Sequence, residues 1–544
     1  MSELRPLCAS ALAGVLAVLI AGATAAAEPT TRQEPDASWA QGAIFYHLYV
    51  RSYADSDGDG HGDLVGLAGK LDHIAALGVD GMLLLPVFQN DHDVYGGYAT
   101  TDFYQVEKDY GGDAAWEAFI AEARKRNLKV MLDLSITHVA DTHPWFQAVR
   151  KDPAAPERQH FIWAGPPCPS AKNVFGGPAW NPLGEGPCYY SPYGGTVPGL
   201  NLRNAATAEA ILDVAEHWLS RGVIGYRLDS AKHLIQVDPS RPEQTNLSSQ
   251  ETHEFCRRLM GRMKAANPQS FAVAEVFDPD VSKVVPFYSD GIDMAFDYPV
   301  YLQGLLPALQ KGSKKGLANV MRASLAARPA GAMNGLFLNN HDVPGSFIPP
   351  HGRVADMLGG DTQRLKLAAM LLLSLPGTPF IYYGDEIGLR TSAGGRTSRN
   401  PMQWDSSTGR GFTSGRPWLG FSTSGENVAD QRDVPDSPLE TYRRLIAARR
   451  SSPALTRGDY REIDTAMDSV LAFVRQDKDS GSRVLVAVNL GAAPAKVTID
   501  TVAAGISGAQ LNDLLTGHPL APESKAAEIS IDLAPHAGRW IDVK

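Results

Sequence analysis

The sequence predicts an α/β chain: a (β/α)8 barrel with a small domain inserted after strand three and a C-terminal antiparallel β-sandwich. Three observations carry this. Between Ala43 and about Gly388, eight short apolar runs alternate with amphipathic stretches, the pattern of a parallel sheet covered by helices. Some seventy residues between Leu134 and the helical pattern at Ala208 show little periodicity, too many for one structureless loop. After Leu455 helical spacing gives way to short β-like runs between turns.

Taken in order, residues 1–27 read as a secretory signal. Arg5 precedes an apolar run from Leu7 to Ala23, and Ala25-Ala26-Ala27 precede Glu28. A retained membrane anchor is the alternative. The chain is therefore expected to be exported, to a periplasm or the extracellular space. The barrel is expected over 38–139 and 201–454. Its strand candidates are Ala43–Val50, Gly81–Phe88, Lys129–Leu134, Val223–Leu228, Phe271–Val276, Asp293–Phe296, Leu336–Leu338 and Pro379–Tyr383. Helical spacing marks Ala114–Arg126, Ala208–Ser220, Glu251–Ala266 and Thr362–Leu375. An open doubly wound sheet is the alternative, but the glycine-rich first turn usual there is missing.

The inserted domain is expected over 140–200. Cys168 and Cys188 flank a loop rich in Gly, Pro and aromatic residues, a plausible disulfide in an exported chain. Cys8 leaves with the signal. Cys256, in EFCRRLMGRM, reads as a buried free thiol. The sandwich is expected over 455–544, from runs at Val470–Val474, Arg483–Asn489, Ala495–Ile499, Ile529–Leu533 and Arg539–Val543.

Composition excludes some function classes. The net charge is −10 with no basic run of five, which argues against nucleic acid. No stretch after the signal reaches the ~18 continuous apolar residues of a membrane span. Neither CxxC nor HExxH occurs, so zinc is not suggested.

The chemistry centres on GYRLDSAKH, Gly225–His233. Positions i and i+2 of a strand share a face, so Arg227 sits beside Asp229 at a strand's C-terminal end. The guanidinium is expected to keep the Asp229 carboxylate ionised; a structural ion pair is the other reading. In a barrel the C-terminal strand ends face the active site. They would bring together Asp229, Glu275 in FAVAEVF, Asp342 and His341 in FLNNHD, and His138 in DLSITH. Three gathered carboxylates cannot all ionise cheaply, so one pKa should rise. A nucleophilic carboxylate beside a protonated one suits glycoside hydrolysis.

DLSITH, GYRLDSAKH, VAEVF and FLNNHD resemble, in order and strand placement, the four motifs of the α-amylase family, glycoside hydrolase family 13. VPGLN at Val197–Asn201 resembles a fifth. RNPMQWD at Arg399–Asp405 is similar to a segment of bacterial α-glucosidases, trehalose synthases and some exported α-amylases. The resemblance spans roughly Ala43 to the C-terminus. It implies Asp229 as nucleophile, Glu275 as acid/base and Asp342 as the carboxylate that grips substrate hydroxyls. It also implies that Arg227 orients the nucleophile, that His138 and His341 bond the cleaved sugar, and that Tyr98 in GGYATTDF is its aromatic platform. Lys232 and His233 match an acceptor-side pair of α-amylases. Two departures stand out. Thr137 replaces an Asn that often ligates a calcium in relatives, and Gly199-Leu200 alter the usual PDLN.

DSDGDGHGD spaces acids at Asp55, Asp57, Asp59 and Asp63. Alternating carboxylates and glycines let a loop wrap a hard cation, with the His61 carbonyl as a further ligand. Position twelve is Gly66 rather than the Glu of an EF-hand. The resemblance also places a calcium loop here, so Ca2+ is expected; a solvated acidic turn is the alternative. The expected activity is retaining cleavage of α-1,4 bonds in starch or malto-oligosaccharides. An exo-acting α-glucosidase or glucosyl-transferring enzyme is the alternative, and a noncatalytic carbohydrate-binding relative the least favoured. The expected partner is an α-glucan or malto-oligosaccharide, with no membrane after signal cleavage and a monomer as the working form.

Overall fold

The computed structural model describes residues 37–544 apart from 92–94, 239, 245, 343–351, 393–396, 508 and 521–526. The signal expected at 1–27 lies outside the described residues. Eight parallel strands close into a barrel: β1 (Phe45–Leu48), β2 (Gly81–Leu84), β3 (Lys129–Leu134), β4 (Gly225–Leu228), β5 (Phe271–Ala274), β6 (Met294–Phe296), β7 (Met333–Phe337) and β8 (Thr378–Tyr382). Each pairs with its sequence neighbours, and β1 closes on β8 through Phe45–Phe380. All eight expected runs contribute a strand. β7 begins three residues before its apolar run, because Asn334 and Gly335 interrupt the apolar pattern there.

The helical patterns also fold as read. The helices Gly112–Lys125, Ala205–Ser220, Gln250–Ala266 and Thr362–Ser374 bury their apolar stripes against the barrel. Asn204, Ser249 and Asp361 cap three of them by accepting backbone N–H groups of the first turn. Inside the barrel, Phe45 stacks between Phe271 and Phe380 at 6.0 and 5.1 Å. Leu83, Met131, Val273 and Met294 fill the same layer. The N-terminal half of the interior is thus apolar and packed, so polar side chains gather at the other end.

The insertion after β3 holds a helix, Pro144–Lys151, and a small sheet in which Cys188–Tyr190 lies between Trp163–Ala164 and Trp180–Pro182. Cys168 and Cys188 are bonded, and Trp180 is buried beside them. The C-terminal region forms seven strands: β9 (Asp459–Ile463), β10 (Val470–Gln476), β11 (Arg483–Asn489), β12 (Ala495–Asp500), β13 (Leu511–Asp513), β14 (Glu528–Leu533) and β15 (Ala537–Val543). The sheet β9-β10-β11-β15-β13 packs against the pair β12–β14. β9 and β13 were not expected. DYREI is a charged edge and LND is three residues long, so neither carries an apolar run. Cys256 is buried and free; its surroundings push the thiol up, so it stays protonated.

Candidate active site

Barrel strands alternate their side chains between interior and helical layer, and the interior turns ionisable within one step of the C-terminal end. On β3, Asp133 follows inward-facing Met131; on β5, Glu275 follows Phe271 and Val273. On β4, Arg227 follows Gly225, and it pairs in register with Asp133. Gly225 suits close packing there. A Cβ on it would lie 1.8 Å from the Phe271 carbonyl oxygen.

Arg227, only 2% exposed, is the hub. Its Nη1 donates to Asp133 Oδ2 at 2.5 Å and to Asp229 Oδ1 at 2.9 Å. Its Nη2 meets Glu275 Oε2 at 2.8 Å and stands 4.0 Å from Asp342 Oδ2. Ser135 Oγ donates to the other oxygen of Asp229 at 3.1 Å. After the nucleophile candidate the chain turns sharply at Ser230, φ 47°, a left-handed conformation costing about 1–2 kcal/mol. That turn aims the Ser230 N–H at Glu275 Oε2, 2.9 Å away. Tyr298 OH donates to Glu275 Oε1 at 3.1 Å and accepts from Asn340 Nδ2 at 3.1 Å.

Asp342 is held differently. Its side chain is 43% exposed, with His341 Nε2 at 2.9 Å on one oxygen and Arg399 Nη2 at 3.2 Å on the other. Tyr98 stacks on His341 at 5.6 Å and donates its hydroxyl to Asp133 Oδ2 at 2.7 Å. His138 is buried, with Nδ1 2.8 Å from Thr137 Oγ1. Burial pulls His138 down to about 4, so it is neutral at ordinary pH. Lys232 Nζ donates to the Phe277 carbonyl at 2.5 Å, and His233 Nδ1 pairs with Gln236 Oε1 at 2.7 Å. Thr137 therefore orients a histidine in this chain.

The electrostatics correct one expectation. Arg227 was expected to keep the Asp229 carboxyl low. Instead burial, with Glu275 and Asp133 adding to it, pushes Asp229 well above the usual carboxylate range against the pull of Arg227. The reason is division: one guanidinium is shared by three buried carboxylates and faces a fourth. Partial enclosure at the barrel mouth also works to raise Asp342, but His341, Arg399 and Arg227 together outweigh it and hold that group well below the usual range. Crowding thus favours a proton within the group of carboxyls around Arg227, while Asp342 stays ionised.

Of the acidic loop after β1, the structure gathers carboxylate oxygens of Asp55, Asp57 and Asp63 within 4.8 Å of one another. Asp59 is outside that set; it accepts from the His61 N–H at 2.7 Å. The loop is well supported. Asp55 accepts from the N–H groups of Gly58 and Gly60 at 2.7 and 2.9 Å and from the Thr413 hydroxyl. A Cβ on Gly60 (φ +96°) would meet the Arg416 carbonyl at 1.9 Å. Three converging carboxylates fit a hard cation.

Three site residues escaped the sequence reading. Asp133 had a usable signal, since the i, i+2 rule that selects Arg227 also selects Asp133 two positions after inward Met131. Arg399 had a motif but no address: its place behind Asp342 is set by Ser398 Oγ bonding the Asn340 carbonyl at 2.8 Å, a contact across 58 positions. Tyr298 lies just beyond β6 and had no local mark. Tyr98, His138, Asp229, Glu275, Asp342 and Arg399 line a cavity of about 690 Å³ shared by the barrel mouth, the insertion and the segment after β4.

A family model described as "Alpha amylase, catalytic domain" matches residues 47–458, and one described as "Maltogenic Amylase, C-terminal domain" matches 460–540. The trehalose synthase/amylase of Mycobacterium tuberculosis is 31% identical, covering 86% of this chain and 84% of that protein. Alpha-amylase 3 of Dictyoglomus thermophilum is 29% identical over 83% and 85%. The crystal structure of an alpha-amylase from H. orenii superposes with a TM-score of 0.78 at 27% identity, covering 93% of this chain and all of that one.

Proposed function

Because the chain belongs to the α-amylase family of glycosidases and transglycosylases, we propose that it cleaves α-1,4-glucosidic bonds of malto-oligosaccharides with retention of configuration. The observation that carries this is the shared guanidinium. With Asp229 on Nη1 and Glu275 on Nη2 of Arg227, the two carboxyls are neighbours on one guanidinium, which supports the ~5–5.5 Å pairing of a retaining enzyme. Asp229 attacks C1 of the sugar while Glu275 gives its proton to the departing oxygen. Glu275 then takes a proton from water, whose oxygen attacks C1 and frees Asp229. Two inversions restore the α configuration. Asp342, His341 and His138 bond the sugar's hydroxyls, Tyr98 supports its apolar face, and Lys232 and His233 stand on the leaving side.

A second reading is glucosyl transfer, favoured by Arg399. Its guanidinium bonds Asp342 and lies 5.9 Å from the centre of the Tyr98 ring, which suits a glycone end closed behind one glucosyl unit. A time course on maltoheptaose and soluble starch separates the readings. Early maltose and maltotriose, α-anomers by NMR, support the first. Glucose alone with persistent iodine colour, or conversion of maltose to trehalose, supports the second.

We further propose Ca2+ on Asp55, Asp57 and Asp63, with the His61 carbonyl as a further ligand, where it neutralises clustered charge and holds the loop. Chelation is expected to lower the thermal midpoint and release one calcium per chain; no change in either rejects the site. Export by the 1–27 signal stays part of the proposal. So does a monomer as the working form, since one chain supplies every residue named above.

A further inference from the structure

We propose that the mouth of this cavity is an apolar aglycone site, so that the enzyme takes α-glucosides whose leaving group is an alkyl alcohol. This rests on the glycosidase reading above. Among the described residues, seven large apolar side chains are more than one-third exposed, and three of them, Val174 (40%), Phe175 (52%) and Leu247 (43%), line the one cavity that also holds Asp229 and Glu275. Chance scatter over the surface does not explain that gathering; exposed apolar clusters mark binding sites.

The cluster is also built to stay in place. Phe175 sits on a tight loop wrapped around Asn173, whose Oδ1 accepts from the N–H groups of Phe175 at 2.9 Å and Gly177 at 3.0 Å. The Val174 N–H donates to the Pro192 carbonyl at 3.0 Å. The Cys168–Cys188 bond stands at the base of this loop. Leu247 comes from the segment after β4, which is tied to the insertion where Trp180 Nε1 donates to the Pro242 carbonyl at 3.0 Å and Glu243 accepts from the Ser170 N–H at 2.8 Å. Two parts of the chain thus meet as one wall. A site fixed before binding loses little ordering entropy when filled.

The side-chain types choose the ligand. Tyr98, Tyr190, Tyr193 and Phe277 also line the cavity but are more enclosed; of the three exposed side chains only Phe175 is aromatic, and Val174 and Leu247 are branched aliphatics that suit methylene groups. Lys232 Nζ donates to Phe277 and Asp278 and His233 Nδ1 pairs with Gln236, so part of their hydrogen-bonding capacity is taken, and the three exposed side chains add none. Removing the three side chains from water is the gain on offer, and it scales with the apolar length of the aglycone.

The test compares methyl with hexyl α-glucoside; hexanol is the slightly weaker acid, so leaving-group acidity does not favour the hexyl substrate. The wild-type kcat/KM is expected to favour hexyl by about tenfold or more, and Phe175→Ala and Leu247→Ser each to cut that ratio at least threefold. A wild-type ratio near one, or a ratio unmoved in both variants, overturns the site. Titration of Asp229→Asn protein with the same two glucosides reads binding without turnover. If no α-glucoside or maltodextrin is cleaved, the glycosidase reading falls. Tighter binding of hexyl than methyl glucoside then still supports the apolar site, and equal binding rejects it.

Discussion

Asp229 lies where two demands conflict. Attack on carbon requires an anion, while burial beside Asp133 and Glu275 opposes one. Asp229→Asn is therefore expected to lower kcat by at least about 10⁴-fold and yet raise the thermal midpoint at pH 7. The sign follows from linkage. A carboxyl whose folded pKa lies above its unfolded value, about 3.9, stabilises the fold below that value and loses the contribution as pH rises through the folded pKa. The gain in the variant should be largest at neutral pH and vanish near pH 4. Asp342 works in the opposite sense: its depressed pKa stabilises the fold above about 3.9, and that stability is lost as pH falls. Equal or lower midpoints for the variant at pH 7 would contradict the charge assignment. Asp133 shows what single residues reveal beforehand. The sequence reading passed over it although strand alternation carries its signal, whereas Tyr298 and Arg399 are placed by contacts far apart in sequence, which no local pattern carries.

At the scale of elements, the barrel was legible because eight buried parallel strands need near-continuous apolar runs, and β4 and β5 are such runs up to the residue that carries the chemistry. The insertion was legible only as a gap. Its strands, two or three residues long, are too short for a period of two to register. What holds them is the bond from Cys168 to Cys188, 20 positions apart. A loop of that size restricts the unfolded chain by about 3 kcal/mol. Replacing both cysteines with serine should admit protease within 165–190 at temperatures where the barrel still resists. Equal resistance of that loop in both proteins would show that the aromatic packing of Trp180 and Tyr190, 5.5 Å between centres, is sufficient by itself.

Over the whole molecule, barrel and C-terminal strands share a core. One face of the larger sheet, including Phe473, Val486 and Trp540, belongs to the cluster that also holds the helices around the barrel. Two buried arginines sit at the joint. Arg475 Nη1 donates to the Ser374 carbonyl at 2.7 Å, and Arg449 donates to those of Leu373 and Gly377 at 2.8 and 2.7 Å. Burial pulls Arg449 down to about 9 and Arg475 well below the usual arginine range. Groups that costly to bury need both partners in place. Scanning calorimetry is expected to show a single unfolding transition, and a chain ending at 458 to stay unfolded. Two separate transitions would mean that the terminal strands form a unit of their own.

The acidic loop after β1 has its keepers in the segment that follows the last barrel strand. Asp55 is bonded through its backbone N–H to the Phe412 carbonyl at 2.8 Å and through its carboxylate to the Thr413 hydroxyl, 358 positions away, and the Trp418 N–H donates to the Gly60 carbonyl at 3.0 Å. Contacts so distant form late, because the closing of long loops must come before them. During synthesis this loop emerges among the first folded residues but cannot take its final shape until the last barrel strand has followed. It works as a clasp: its order reports that the ring is complete, and a chain halted before residue 412 carries the acids without the grip that arranges them.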